Sequence, residues 1–292
     1  MIEVSSCVIC DGPIGQLRRA LVAPFLAKRI WNRAPFSLDL VKCESCGFIF
    51  YNPRLDNSDL EKLYSGYRTE EYRQMRHATE PWYTEKFNAD LASEESYRKR
   101  RARLAPILQQ NIKNRRINRI LDHGGDRGDL VVGLFPDAEA FVYDISGIPA
   151  TEGVTSIDDP ASCKADLIIN SNVLEHVGFP VDLVRQILKA APEGGLVFLE
   201  VPCETPLGFS RITRRFAQIG LMTLFHPSLA RYIFRPATFY MMHEHVNYFT
   251  ERSLTSLMCA GGGTVVASGS YSSSSRAGNA DMAWCLGSKP KV

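Results

Sequence analysis

Apolar positions in the second half of the chain fall into short runs that alternate with stretches of helical periodicity. AFVYD, ADLIIN and LVFLEV read as strands, and VDLVRQILKAA reads as an amphipathic helix closed by Pro192-Glu-Gly-Gly. The series opens at INRILDHGGDRGDL, where the pattern predicts a strand, a glycine-rich turn and then a helix. A further short strand is expected at Val154-Thr-Ser-Ile157, ending at Asp158. Alternating strands and helices predict an α/β fold on a doubly wound, mostly parallel sheet, with ligands gathered at the carboxyl ends of the strands.

The first half is less regular. FIFYNPRLD reads as a strand running into a turn at Asn52-Pro53, and Ser58-Asp-Leu-Glu61 reads as a capping box opening a short helix. The following stretch, LYSGYRTEEYRQMRHATEPWY, is rich in tyrosine and arginine. Tyr64, Tyr67, Arg68, Tyr72, Arg76, Trp82 and Tyr83 either line a polar, substrate-binding pocket or decorate an exposed amphipathic helix. Arg98 to Arg119 carries nine basic residues and no acid, with Leu104, Ile107, Leu108 and Ile112 placed to form the buried side of a helix. Such a run is read first as a solvated face, with phosphate or RNA contact as the rival.

Cysteine spacing adds a second kind of chemistry. Cys7-Val-Ile-Cys10 and Cys43-Glu-Ser-Cys46 are two C-x2-C units separated by 32 residues, and Gly12 and Gly47 are placed for tight turns after them. Two such knuckles close a tetrahedral four-cysteine zinc site with no open position, which suits structure and not catalysis. The segment between them is apolar and basic and is expected to form a helical hairpin or surface cover. Cys163, Cys203, Cys259 and Cys285 stand singly and are expected to pack as small hydrophobes.

The chain has 292 residues, 45% of them hydrophobic, enough for one large core and an appendage. A net charge of +2 gives no global bias toward nucleic acid or membrane. No apolar run reaches the ~18 residues of a membrane-spanning helix, and MIEVSSCVIC lacks the features of a secretory leader, so a cytoplasmic protein is expected. The expected organisation is a zinc-binding module at 1–54, a helical linker or lid at 55–116 and a cofactor domain at 117–292 with an insertion at 202–242. That insertion sets Arg211, Arg214, Arg215, Arg231 and Arg235 among apolar residues, as a cover over the site or a clamp for an anion.

LDHGGDRGDL, the acid at the end of AFVYD, NVLEHV and the LKAAPEGG turn together resemble class I S-adenosylmethionine-dependent methyltransferases, over roughly residues 117–268. The resemblance implies a Rossmann-like, seven-stranded sheet in which MAWCLG is a late antiparallel strand, with a serine-rich turn before it. It places Gly124, Gly125 and Gly128 against the methionine portion of the cofactor and Asp122 on its ammonium group. Asp144 would bind the ribose, Ile145 would pack on adenine and Asp158 would meet the adenine amino group, with Asn170 at the end of the next strand completing the set. Asp126 stands where that family has a glycine. Its charge disfavours a dinucleotide phosphate, whereas S-adenosylmethionine has none.

Methyl transfer to a hydroxyl or a carbon calls for a base, and the candidates are His176 and the His243-Glu244-His245 run. The four-cysteine module and Glu244-His245-x-x-Tyr248-Phe249 resemble bacterial sugar C-methyltransferases acting on nucleotide-linked keto sugars, in which the Glu-His pair lies at the acceptor. Met242 stands where those enzymes tend to have tyrosine, and their long C-terminal domain has no counterpart in this sequence. The leading expectation is therefore C- or O-methylation of a sugar nucleotide, glycan precursor or other small molecule, with Tyr248 among the substrate contacts. The alternatives are an RNA methyltransferase gripping phosphate through the zinc module and the basic helix, and a non-catalytic protein that binds the methyl donor.

Overall fold

A computed structural model describes residues 1–67, 69–91, 93–112, 115–204, 217, 220–221, 223–224, 227, 241–275 and 278–291. Arg68 and the insertion arginines at 211, 214, 215, 231 and 235 lie outside the described residues. The chain divides into two compact units, Met1–Ala89 with Glu175–Phe179 and Glu204–Tyr248, and Asp90–Leu174 with Pro180–Cys203 and Phe249–Val292.

In the first unit, β1 (Ile14–Val22), β2 (Ser37–Cys43) and β3 (Ile49–Asn52) form an antiparallel meander. Two short strands from far along the chain, β9 (Met241–Met242) and β10 (Asn247–Tyr248), extend it to the order β10-β3-β2-β1-β9. The segment between the cysteine pairs is thus strand, helix and strand, not the expected helical hairpin. Helix α1 (Pro24–Trp31) starts with proline in its first turn and stops where Asn32 turns left-handed, at φ 49°. Phe25, Leu26, Leu40, Tyr51, Tyr72 and Val246 share the core with it.

Helix α2 (Asn57–Tyr64) opens two residues earlier than expected. Its capping box is Asp56 with Asp59, not Ser58 with Glu61, because an aspartate at N-cap already satisfies the free amide of the first turn. Helix α3 (Glu70–His77), capped by Thr69, buries Tyr72 and Arg76, which share one face at i, i+4. Helix α4 (Glu85–Leu91) carries the chain across the first boundary between the units.

In the second unit, β4 (Arg119–His123), β5 (Glu139–Tyr143), β6 (Val154–Ser156), β7 (Leu167–Ser171) and β8 (Leu196–Cys203) are mutually parallel. A hairpin of β11 (Thr264–Ser275) and β12 (Gly278–Ser288) completes a seven-stranded sheet in the order β11-β12-β8-β7-β4-β5-β6. Strand β12, which contains MAWCLG, runs antiparallel to β8 as expected. Every residue of β7 is buried, as a central parallel strand requires. Helices α5 (Glu94–Ile112), α6 (Pro180–Ala190) and α7 (Glu251–Ala260) belong to this unit. Leu104, Leu108 and Ile112 of α5 are buried with Ile120, Leu167 and Phe198 of the sheet.

Three local expectations change. No helix follows the glycine-rich turn: residues 124–137 are a chain of turns, with Gly128, Val131 and Leu134 amides donating to carbonyls three residues back. Asp126, Gly128 and Gly133 all have positive φ there, and an α-helix cannot pass through them. The serines at 272–275 lengthen β11 instead of forming a loop. Of the four single cysteines, Cys163 and Cys285 are buried, Cys203 is intermediate and Cys259 is exposed.

The basic run on α5 is mostly spoken for. Arg98 and Lys99 pair with Glu95, Arg101 pairs with Glu94 and donates to the Asp129 carbonyl, and Arg100 reaches Ser171. No helix among the described residues is long and apolar enough to cross a membrane.

Candidate functional site

The carboxyl ends of β4, β5 and β7 collect the residues expected to hold the methyl donor. Gly124 and Gly128 have φ of 77° and 78°, conformations that a side chain resists. Space is short as well: a Cβ on Gly125 would lie 2.0 Å from Asp122 Cγ, and one on Gly124 would lie 2.7 Å from Val173 Cγ2. Asp126 takes the left-handed conformation at φ 59°, and its amide donates to Asp144 Oδ2 at 2.8 Å. The Ser146 amide donates to Asp144 Oδ1 at 2.7 Å, so this carboxylate ties the loop after β5 to the glycine turn. Each of its oxygens keeps a second lone pair for a ligand hydroxyl.

Two buried oxygens at this edge lack a donor. Asp122 is 1% exposed and its Oδ2 has no hydrogen-bond partner among the described residues. Asn170, fully buried on the adjacent strand, donates through Nδ2 to the His123 carbonyl at 2.9 Å, while its Oδ1 is likewise unpartnered. Burial pushes the Asp122 carboxyl up to about 7, with Asp144, Asp129 and Asp126 adding to the effect and Arg100 opposing it. A cationic donor is what this arrangement lacks. S-adenosylmethionine supplies one in its ammonium group and brings no phosphate to be repelled by four nearby carboxylates, so the residues present fit it.

Ile145, just past Asp144, is 81% exposed, and Asp158 is exposed two residues beyond β6. Sequence reasoning missed a neighbouring network. Arg100 Nη2 donates to Ser171 Oγ at 2.9 Å, and Ser171, at the end of β7, and Tyr271 both donate to the buried carboxylate of Glu200, which pairs with Ser171 from within β8. Nothing in a lone Ser, Glu or Tyr announces such a cluster before the strands are aligned.

The first unit gathers the candidate catalytic residues. Arg76 lies between two carboxylates, with Nε 2.8 Å from Glu80 Oε2 and Nη1 2.5 Å from Glu244 Oε1. Tyr72 OH donates to the same Glu244 oxygen at 3.3 Å, and His243 Nδ1 is 2.8 Å from Glu80 Oε1. His176 Nδ1 lies 3.2 Å from the Glu244 carbonyl, and His245 Nδ1 lies 3.2 Å from Glu204 Oε2. The two imidazoles meet edge to face, with centroids 4.8 Å apart. Tyr67 packs against both Tyr64 and Tyr72, and Tyr64 packs on His176.

Electrostatics separate the two histidines. Burial, with the neighbouring His245 charge, pushes His176 down to about 3 and keeps it neutral. Burial also acts against charge on His245, but the bonded Glu204 carboxylate, with Glu175 and Glu244, outweighs it and raises that group above the usual histidine value. Glu80 is fully buried, yet His243 and Arg76 hold it down at about 2.

His176, Glu244, His245, Tyr67, Tyr72 and Arg76 therefore fall in one cluster. Tyr248 instead shares a 3.0 Å hydroxyl contact with Tyr51. Glu80 and Glu204, missed in the sequence, complete the cluster from 164 and 41 positions away from Glu244 and His245.

The four cysteines Cys7, Cys10, Cys43 and Cys46 also come together, with their sulfurs all within 4.8 Å of one another. The register Ile14↔Cys43 between β1 and β2 brings the two pairs side by side. The knuckles are built alike: Asp11 and Gly47 amides donate to the carbonyls of Cys7 and Cys43, and both residues have positive φ. The left-handed residue of the first knuckle is thus Asp11, not Gly12. Gly12 is needed for space, since a Cβ there would lie 2.4 Å from Ser45 Oγ. Four thiols on two turns with no other ligand type among them fit a closed tetrahedral site.

A parallel sheet with one antiparallel strand, a glycine turn and acids at its carboxyl edge define a protein that binds a nucleoside-bearing cofactor. Residues 92–268, more than half of the chain, match the family model described as "Methyltransferase domain", and the chain belongs to that family. It is an S-adenosylmethionine-dependent methyltransferase. No curated protein matches it in sequence. Among solved structures it is similar to 1,6-didemethyltoxoflavin-N1-methyltransferase from Burkholderia thailandensis, bound to 1,6-didemethyltoxoflavin and S-adenosylhomocysteine, at 14% identity and TM-score 0.51, covering 87% of this chain and 96% of that one. It is also similar to the N-methyltransferase NodS from Bradyrhizobium japonicum WM9 in complex with S-adenosyl-L-homocysteine, at 15% identity and TM-score 0.42, covering 70% and 96%.

Proposed function

We propose that the enzyme methylates a small polar acceptor of the sugar nucleotide or glycan-precursor class, at oxygen or carbon, with His245 as the base. The reading is carried by the cluster of two histidines, a paired glutamate and edge-to-face tyrosines in the first unit. Tyrosine faces with hydroxyl edges, beside imidazole and carboxylate, form the surface that a polyhydroxylated ligand uses.

The bound cofactor supplies an electrophilic sulfonium methyl group. Asp122 and Asn170 hold its ammonium end, Gly124, Gly125 and Gly128 let the backbone approach it, and Asp144, Ile145 and Asp158 hold the ribose and adenine. His245 takes the acceptor's proton, His176 accepts a hydrogen bond beside it, and Glu244 with Arg76 fixes the floor of the site. Tyr67 and Tyr72 orient the acceptor. Cys7, Cys10, Cys43 and Cys46 carry a structural zinc ion that organises the N-terminal module. None of the eight cysteines is paired in a disulfide, which suits a cytoplasmic protein. The RNA reading is not favoured, because the basic run of α5 is largely engaged in ion pairs and backbone contacts within its own unit.

The test is calorimetric binding of S-adenosylhomocysteine, followed by turnover against nucleotide sugars and RNA in parallel. Donor binding with methylation of a nucleotide sugar, lost in His245→Ala at unchanged donor affinity, is the expected result. Full activity of His245→Ala on the true acceptor, or methylation of RNA alone, would overturn it.

A further inference from the structure

The hydrogen bonds of the two histidines fix where their protons sit. A backbone carbonyl can only accept, so His176 Nδ1, 3.2 Å from the Glu244 carbonyl, carries the hydrogen. An ionised carboxylate also only accepts, so His245 Nδ1, 3.2 Å from Glu204 Oε2, carries one too. In both neutral rings the free lone pair is then on Nε2. Glu204 lies just past the end of β8, and its side chain is 18% exposed. No motif in the sequence pointed to it.

We propose that Glu204 is the positioning residue of the catalytic base: it holds His245 as the Nδ1–H tautomer, so that Nε2 faces the acceptor's proton, while His176 stays a neutral acceptor beside it. This rests on the reading of His245 as base. In the transfer, Nε2 takes the acceptor's proton as the acceptor–methyl bond forms and the methyl–sulfur bond breaks, leaving its electron pair on sulfur. The imidazolium then returns the proton to water, and Glu204 keeps its charge throughout.

Among the described residues, the other charged or titratable groups around the pair are Glu175 beside His176, Glu244 on the same segment as His245, Arg76 on α3 and Tyr64 on α2, whose ring packs on His176. Glu175 Oε1 is 3.9 Å from His176 Nε2, outside hydrogen-bond range, and Arg76 is taken up by Glu80 and Glu244. Among the described residues, Glu204 is the carboxylate bonded to the ring of His245.

The test needs no acceptor. Full-length protein labelled with nitrogen-15 at histidine is titrated by NMR, with His176→Gln and His245→Gln used to assign the two rings. The wild type is expected to show His245 as the Nδ1–H tautomer, with a midpoint above that of a free histidine, and His176 neutral down to pH 5. Glu204→Gln keeps an accepting carbonyl, so the tautomer persists while the His245 midpoint falls by about one pH unit, a tenfold change in acidity. Glu204→Asp restores most of the shift.

An unmoved His245 midpoint in a folded Glu204→Gln protein overturns the proposal. If Glu204→Gln does not fold, the wild-type tautomer decides, and an Nε2–H signal on His245 overturns it. Saturable shifts of both rings on adding zinc or manganese to protein whose cysteine site is already filled would assign the Nε2 atoms to a cation and also overturn it. An active His245→Ala sinks the base assignment and leaves this titration standing as a separate result.

Discussion

The Asp122 carboxylate lies directly against Gly125, so close that a Cβ there would sit 2.0 Å from Asp122 Cγ and 2.1 Å from its Oδ2. One residue therefore sets the space in which the other can act. Because Oδ2 is a buried oxygen with no donor among the described residues, its position is the quantity that the glycine protects.

Gly125→Ala is expected to push that carboxylate aside without unfolding the sheet, since the turn lies at a strand end and not in the core. Affinity for S-adenosylhomocysteine should fall at least tenfold, about 1.4 kcal/mol. Calorimetry checks this, and circular dichroism at the wild-type level shows that the loss is local. Unchanged affinity would mean that Asp122 does not touch the donor.

Asp122 also makes a pH prediction with a definite sign. Its folded value, about 7, lies above the ~3.9 of an unfolded aspartate. Between those values the native state holds the extra proton, so ligand-free protein loses stability as pH rises through that window. Asp122→Asn does not titrate there. It should match the wild type near pH 4 and melt a few degrees higher at pH 8. The wild type should bind S-adenosylhomocysteine more tightly as pH rises from 5.5 to 8, and the asparagine variant should bind weakly at every pH. A wild-type melting temperature that climbs over this range would contradict the burial of the acid.

How far the sequence could be read depends on how local each feature is. The edge at Asp122, Gly124–Gly128, Asp144 and Asn170 was legible because strand, turn and acid follow one another along the chain. The order of motifs also carried the antiparallel position of MAWCLG. The run after the glycine turn misled, since LVVGLF looks apolar and periodic while Asp126, Gly128 and Gly133 bar a helix. Strand β1 was hidden because Arg18 and Arg19 are neighbours and a register irregularity between Gln16 and Arg18 breaks the alternation. Glu80 and Glu204 could not be found at all, because each gains its meaning only from a partner far away in sequence: His243 and Arg76 for one, His245 for the other.

The cysteine knuckles make a prediction about metal content and stability together. One zinc ion per chain is expected by elemental analysis, and Cys46→Ser should reduce this to a substoichiometric amount. Because the two knuckles lead into β1 and out of β2, loss of the ion should lower the first unit's melting temperature while donor binding by the second unit persists. Full metal occupancy in Cys46→Ser would remove the closed four-thiolate reading.

Arg76 offers the sharpest test of how the acceptor cluster is held. The residue is 7% exposed, and its guanidinium is bonded to Glu80 and Glu244 and lies 3.8 Å from the centre of the Tyr83 ring. Arg76→Met keeps the volume but leaves two carboxylates without their shared cation, which for a buried pair costs about 3–5 kcal/mol. Urea unfolding at pH 7 should show a loss of that order. Glu80 adds the sign with pH: its folded value of about 2 lies below the ~4.3 of an unfolded glutamate. The stability it contributes is present above ~4.3 and disappears as pH falls toward 2. Without Arg76 that contribution shrinks to what His243 alone provides, so the variant's stability should vary less over this acid range than the wild type's. Equal stability of the two proteins at pH 7 would show that the carboxylates reach water when the arginine is gone, and the cluster would then be too open to hold an acceptor in one orientation.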